Sequence, residues 1–339
     1  QTWDDPLNQD LMQFDKVYEP VVHNGTVFIG SNASDCMIAL ATDTGEERWR
    51  YYVDGPIRFP AVATQGKVYF VSDDGYLYCL DAASGELIWR FRGAPAERRI
   101  LGNERLLSTW PARGGPVLQD GVVYFAAGIW PFMGVFVYAV DAETGEVVWK
   151  NDSTGSRYML QPHNSPAYAG VAPQGHLVIA GDKLLVPCGR SVPACFDLKT
   201  GKFLYYRLAE NGKTGGAFVA ADANFFLNYH RDSVVSLYQV GDGESVIRRL
   251  GKVPVMTEDT LFCRGDSITA LDLANLRRTA VEDQVVFDRE TGSIKTEKES
   301  TWVIDPLWRV TVDASGDLIK AGDKLYAGGE GLVSAVSLP

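Results

Sequence analysis

The chain has 339 residues, 46% of them hydrophobic and 22% charged, a balance that predicts a packed globular core rather than disorder. Its 32 basic and 43 acidic residues leave a net charge of −11, and Arg98-Arg99, Arg248-Arg249 and Arg277-Arg278 are isolated pairs. Binding to a phosphate backbone is thereby excluded, and no apolar run approaches the roughly 18 residues that a membrane span needs. The opening Gln1-Thr2-Trp3-Asp4-Asp5 is polar and acidic, so no signal peptide is expected within it.

Taken in chain order, two signatures alternate. The first is a turn followed by a short β-branched or aromatic strand, starting at residues 24, 65, 120, 181, 222, 258 and 322. The second is ALATDTGEERW (39–49), CLDAASGELIW (79–89), AVDAETGEVVW (139–149), CFDLKTGKFLY (195–205) and the degraded VFDRETGSIKT (286–296). Gly stands at the seventh place in each, and an aromatic residue at the eleventh in all but the last. Strands bounded by Asn, Asp and Gly turns predict hairpins, and self-similarity at this period predicts stacked sheets. One unit is predicted from Ile57–Ala63, Lys67–Ser72, Tyr76–Asp81 and Glu86–Phe91, with helical periodicity only around Leu273–Val281.

The expected fold is all-β: a β-propeller of four-stranded antiparallel blades, with seven blade starts, either closing as seven or forming part of an eight-bladed ring. The blades fall at 14–54, 55–93, 94–153, 154–209, 210–250, 251–312 and an incomplete 313–339, within one domain spanning 1–339. Gly45, Gly85, Gly145, Gly201 and Gly292 are expected to close turns in the left-handed conformation. Trp49, Trp89 and Trp149 are expected to dock one blade against the next.

The five cysteines, at 36, 79, 188, 195 and 263, include no adjacent pair, no CxxC and no haem-attachment motif. They read as small buried hydrophobes, although Cys188 and Cys195 are near enough in sequence to bridge a hairpin. Asp73-Asp74-Gly75 and Asp120-Gly121 read as hairpin turns rather than calcium loops, and no metal ligands are expected.

Three segments break the repeat, and function is expected there. Within 94–116, Trp110 and Arg113 stand among Pro and Gly residues, an aromatic plane and a bidentate donor suited to a sugar or a carboxylate. Within 128–134, Trp130 and Phe132 replace a polar turn, as in a lid or a partner-binding patch. In the Pro-flanked loop 157–175, His163 is a candidate general base and Asn164 an orienting group. Arg190, Tyr229 and His230 are candidates for the same ligand-binding channel. Packing roles remain open for each.

The pattern A-x-D-x-x-T-G-x-x-x-W resembles the repeat of the pyrroloquinoline-quinone (PQQ) propellers, the quinoprotein alcohol dehydrogenase-like superfamily. STWPARGGP (108–116), GIWPFMGVF (128–136), QPHNSPAYAGVAPQG (161–175) and GRSVPACFD (189–197) resemble a group of bacterial PQQ-like repeat proteins associated with planctomycetes. The resemblance implies a periplasmic or secreted location, and PQQ with Ca²⁺ as the cofactor of its catalytic members. Those members hold the quinone between a Trp and a vicinal disulfide, and no Cys-Cys pair occurs here. Three functions are therefore carried forward: a binding or protein-interaction scaffold, a quinoprotein dehydrogenase of alcohols or sugars, and a polysaccharide lyase. Partners would be a small molecule, a carbohydrate or a protein at the central channel.

Overall fold

The computed structural model describes residues 19–102, 105–161, 165–189, 191–208, 214–230, 234–288, 293–299 and 301–338. They belong to two compact units, Gln1–Arg231 with Val240–Gly243, and Asp232–Gln239 with Glu244–Pro339. No helix among the described residues is long and apolar enough to cross a membrane.

The first unit contains four sheets whose main strands run in sequence order, each strand antiparallel to the next. The first sheet is Val21–His23, Thr26–Ser31, Cys36–Ala41 and Glu47–Tyr52. The second is Val62–Thr64, Lys67–Val71, Tyr76–Asp81 and Leu87–Arg92. The third is Gly114–Gln119, Val122–Ala127, Phe136–Asp141 and Val147–Asn151, and the fourth is Val178–Ala180, Lys183–Val186, Ala194–Asp197 and Phe203–Tyr205. These are propeller blades. In the second unit, Ser245–Met256 pairs with Val234–Gln239 and then with Thr260–Arg264. Ile268–Asp272 and Pro306–Val310 continue that sheet, and Leu318–Ala321, Lys324–Gly329 and Leu332–Ser337 form a further one.

One cross-strand row explains why these residues make these sheets. In the first blade Val21, Phe28, Ala39 and Trp49 face one another in register. The second and third blades repeat it as Val62–Tyr69–Cys79–Trp89 and Val117–Tyr124–Ala139–Trp149. The fourth reads Val178–Leu185–Cys195–Tyr205, and in the second unit Val255–Phe262–Ala270–Trp308 does the same. A small third residue lets the flanking aromatics meet across it. Their ring centroids lie 5.8 Å apart in the first blade and 5.9 Å in the second, a favourable tilted contact.

The turn motif follows from the same geometry. Asp141 accepts from the Thr144 amide at 2.8 Å and its hydroxyl at 3.0 Å, and Asp197 holds Thr200 likewise. Gly85 has φ of +73°, and a Cβ there would lie 2.6 Å from Trp49 of the preceding blade. The Trp49 indole N–H donates to Ala82 O at 3.1 Å, Trp89 to Ala142 O at 3.2 Å, and Trp149 to Leu198 O at 3.0 Å. Each fourth strand thus latches onto the next blade's turn. Between blades lie continuous cores such as Tyr69, Leu77, Cys79, Phe125, Tyr138 and Val140.

Several boundaries differ from expectation. The predicted strand Ile57–Ala63 is only Val62–Thr64, because Pro56 and Pro60 remove ladder donors around the buried Ile57 and Phe59. Leu273–Val281 is a short 3₁₀ turn, Leu273–Asn275, capped by Asp272, and not a helix. The degraded copy at 286–296 belongs to a separate hairpin, Glu282–Asp288 with Ser293–Glu299; Trp308 closes that blade instead. Gly292 lies outside the described residues. All five cysteines are buried and unpaired, so Cys188 and Cys195 form no bridge.

Candidate functional site

In an antiparallel four-stranded blade, the second-to-third connection and the link to the next blade share one end. All three repeat-breaking segments of the first unit emerge there. The segment 94–116 forms a hairpin, Arg99–Gly102 with Arg105–Ser108, before reaching Trp110. The predicted loop 157–175 is largely a second hairpin, Ser156–Leu160 with Pro166–Gly170. Residues 131–133 form a 3₁₀ turn, started by the fixed φ of Pro131.

Asp73 is the centre of this end. Its side chain is wholly buried, at 0% exposure, between Arg58 and Arg113. Arg113 donates from Nε to Oδ1 at 2.7 Å and from Nη2 to Oδ2 at 3.0 Å, while Arg58 Nε donates to Oδ2 at 2.7 Å. Its backbone joins the same segments: Asp73 N–H donates to Pro56 O, and Ser108 N–H donates to Asp73 O. Charge-assisted bonds in a buried site are strong, and losing one partner is costly. The Arg113 fork, expected to face a ligand, is engaged by this internal carboxylate. The adjacent Asp74 accepts from the Tyr78 hydroxyl at 2.6 Å and the Tyr76 amide at 3.0 Å. Burial nevertheless raises its carboxyl above the usual range.

Trp110 is tied down too, its indole N–H donating to Met133 O at 2.8 Å. That bond fixes the 3₁₀ turn, on which Trp130 and Phe132 point outward as a tilted pair 6.0 Å apart. They are 49% and 71% exposed. The 156–170 hairpin lies against the same turn, for a Cβ at Gly170 would come within 3.3 Å of the Pro131 Cβ. It presents Tyr158 and Tyr168 edge to face at 5.2 Å, both exposed, with exposed Leu160 beside them. Trp110, Trp130 and Phe132 are therefore brought together, with Tyr158 and Tyr168 on the adjoining hairpin.

Gly175-His176 pairs parallel with Gly114-Gly115. His176 Nδ1 is sealed without a hydrogen-bond partner, and burial pushes the imidazole down to about 4. Tyr229 stands next to last in the strand Phe225–His230, packed on Phe218 at 5.2 Å beside the buried Asn228. His163, Asn164 and Arg190 lie outside the described residues, and of His230 only the backbone, ending the strand Phe225–His230, is described.

Sequence reasoning passed over Asp73, Arg58 and His176. Asp73 sits in an ordinary turn pattern, so its burial leaves no local trace. Arg58, between Ile57 and Phe59, was the available signal: a cation in an apolar run needs a buried counter-charge.

The described residues do not present the donor set of a PQQ–calcium centre. No cysteines are adjacent, and no group of three His, Cys, Asp or Glu among the described residues is placed to hold a metal ion. Trp49, Trp89, Trp149 and Trp308 are committed to the cross-strand rows.

Comparison with known proteins identifies the fold and the family. Tetrathionate hydrolase of Acidithiobacillus ferrooxidans is 29% identical over 198 residues, 55% of this chain and 35% of the hydrolase. The dehydrogenase subunit of the quinone-dependent alcohol dehydrogenase of Gluconobacter oxydans is 34% identical over 143 residues, 39% of this chain and 18% of that subunit. These matches thus cover about a third and under a fifth of those relatives. Among solved structures, BamB of Moraxella catarrhalis aligns with a TM-score of 0.52 and 17% identity, over 93% of this chain and 82% of that one. The quinohemoprotein alcohol dehydrogenase of Comamonas testosteroni aligns with 0.54 and 15%, over 94% and 64%. Both support the β-propeller fold. The family model described as outer membrane protein assembly factor BamB matches residues 1–247 and 133–338, so the chain belongs to that family of PQQ-like β-propellers.

Proposed function

We propose that the protein is a periplasmic or secreted interaction scaffold whose working surface is the loop end of the first unit. The observation that carries this reading is the rigidly mounted aromatic surface of Trp130, Phe132, Tyr158 and Tyr168, exposed on two segments in mutual contact. Aromatics on a fixed backbone lose little side-chain entropy on binding and dominate protein interfaces. The charged groups beside it serve the scaffold, since Arg58 and Arg113 hold Asp73. The family's description as an assembly factor fits a protein partner. The paired change Trp130→Ala/Phe132→Ala should abolish capture of that partner from envelope extracts while leaving the melting temperature within a few degrees of the parent. Capture that survives the change removes the reading.

A second reading is a quinoprotein dehydrogenase, favoured by the 34% identity over 143 residues to the Gluconobacter oxydans subunit. It predicts saturable binding of PQQ with Ca²⁺ and reduction of an artificial acceptor by alcohols. The same assay tests the lyase alternative, if uronate polymers replace alcohol and unsaturated products are followed.

A further inference from the structure

The turn that carries Trp130 and Phe132 is not held by packing. None of Pro131, Phe132 and Met133 is buried, and the segment begins and ends at Gly128 and Gly134, with φ of +92° and +98°. A Cβ at Gly128 would come within 2.5 Å of Gly134 O, so glycine is what closes this neck. The turn's own backbone bonds run from Met133 N–H to Trp130 O at 2.9 Å and from Gly134 N–H to Pro131 O at 3.4 Å. Bonds of this 3₁₀ kind are poorly aligned, so support from outside decides whether the turn keeps one shape.

That support comes from the preceding blade. The Trp110 indole N–H donates to Met133 O at 2.8 Å, and Trp110 is itself fixed from behind. Its amide donates to Ser108 Oγ at 3.1 Å, Ser108 N–H donates to Asp73 O at 3.0 Å, and Ala112 N–H donates to Ser72 O at 3.2 Å. Ser72 and Asp73 lie in a connection of the second blade, whereas Trp130 and Phe132 lie in one of the third. Asp73 is held in turn by Arg58 and Arg113. The fit is close: a Cβ at Gly75, in the same connection as Asp73, would lie 3.0 Å from Trp110 O.

We propose that Trp110 is a positioning residue for the docking surface, on the reading of Trp130 and Phe132 as the side chains that meet the partner. Its N–H fixes the turn beneath those two rings from the neighbouring blade, so the surface is a property of two blades and not of the third alone. A loop that is ordered only on binding gives up affinity, and a loop already held does not. The atom that matters is the indole hydrogen, which is spent on Met133 O, rather than the aromatic bulk of Trp110.

Two replacements at Trp110 test this in the full chain. Trp110→Phe keeps a ring and loses the donor; benzothienylalanine at position 110 keeps the indole's shape with sulfur in place of N–H. In both, amide exchange at Met133 and Gly134 should quicken by about fivefold, the effect of losing one hydrogen bond, while Val122–Ala127 exchanges as in the parent. Photo-cross-linking from position 132 in cells should fall by about fivefold with Trp110→Phe. Unchanged exchange at Met133 and Gly134 overturns the proposal, and so does faster exchange there with cross-linking at the parent level. If Trp110→Phe loosens the whole blade, faster exchange at Val122–Ala127 reveals it, and the benzothienylalanine chain decides. No cross-link from position 132 in the parent removes the docking reading and the positioning role with it, a failure distinct from unchanged exchange.

Discussion

The two ends of the first unit's blades obey different rules. At the turn end, the second, third and fourth blades repeat one device: a carboxylate holds a hydroxyl and amides, a glycine turns the chain, and an indole arrives from the blade before. At the loop end no two blades agree. One connection is a buried Asp73 between two guanidinium groups, another a 3₁₀ turn with two exposed aromatics, another a tyrosine-bearing hairpin. The repeated end stacks blades. The varied end is where a propeller can acquire a partner without disturbing that stacking.

The largest effect expected is from Asp73→Ala. It strands two nearly buried arginines and should destabilise the first unit by about 3–5 kcal/mol, read from urea unfolding. A loss below about 1 kcal/mol would show that the loop end does not depend on this cluster. At the turn end, Trp89→Ala removes an indole that bonds Ala142 O and packs on Tyr69, with an expected cost of about 3 kcal/mol. Trp149→Ala should cost a similar amount, because the device is the same; strongly unequal costs would break the symmetry claimed for that end.

Acid provides an intermediate test. The His176 imidazole is depressed to about 4 from an ordinary 6.5, so between those values the unfolded chain binds a proton that the folded chain refuses. The stability it permits is fully present above pH 6.5 and is lost as pH falls toward 4, by about 2–3 kcal/mol. His176→Gln should flatten that part of the profile; an unchanged slope would locate the acid sensitivity elsewhere. The smallest stability change belongs to Phe132→Ala, within about 0.5 kcal/mol, since the side chain is 71% exposed.

Repetition made the fold legible. Val, aromatic, small and Trp recur because each blade solves the same docking problem, and a local eleven-residue pattern records the solution. Its failures were local as well: Pro56 and Pro60 shortened a strand, and an inserted hairpin hid Trp308 as the closing residue of its blade. The candidate site was legible only in part. Trp110, Trp130 and Phe132 stood out as apolar residues in turns, and the structure brings them together. Asp73 did not, because an acid in a turn looks alike whether it faces water or two arginines held 15 and 40 residues away.

The central claim is that the loop end, and not the turn end, meets the partner. A photo-cross-linking residue placed at Phe132 and, separately, at the exposed Thr44 of a turn tests it most directly in cells. The account predicts one discrete cross-linked protein from position 132 and none from position 44. Cross-links from position 44 with none from position 132 would contradict it.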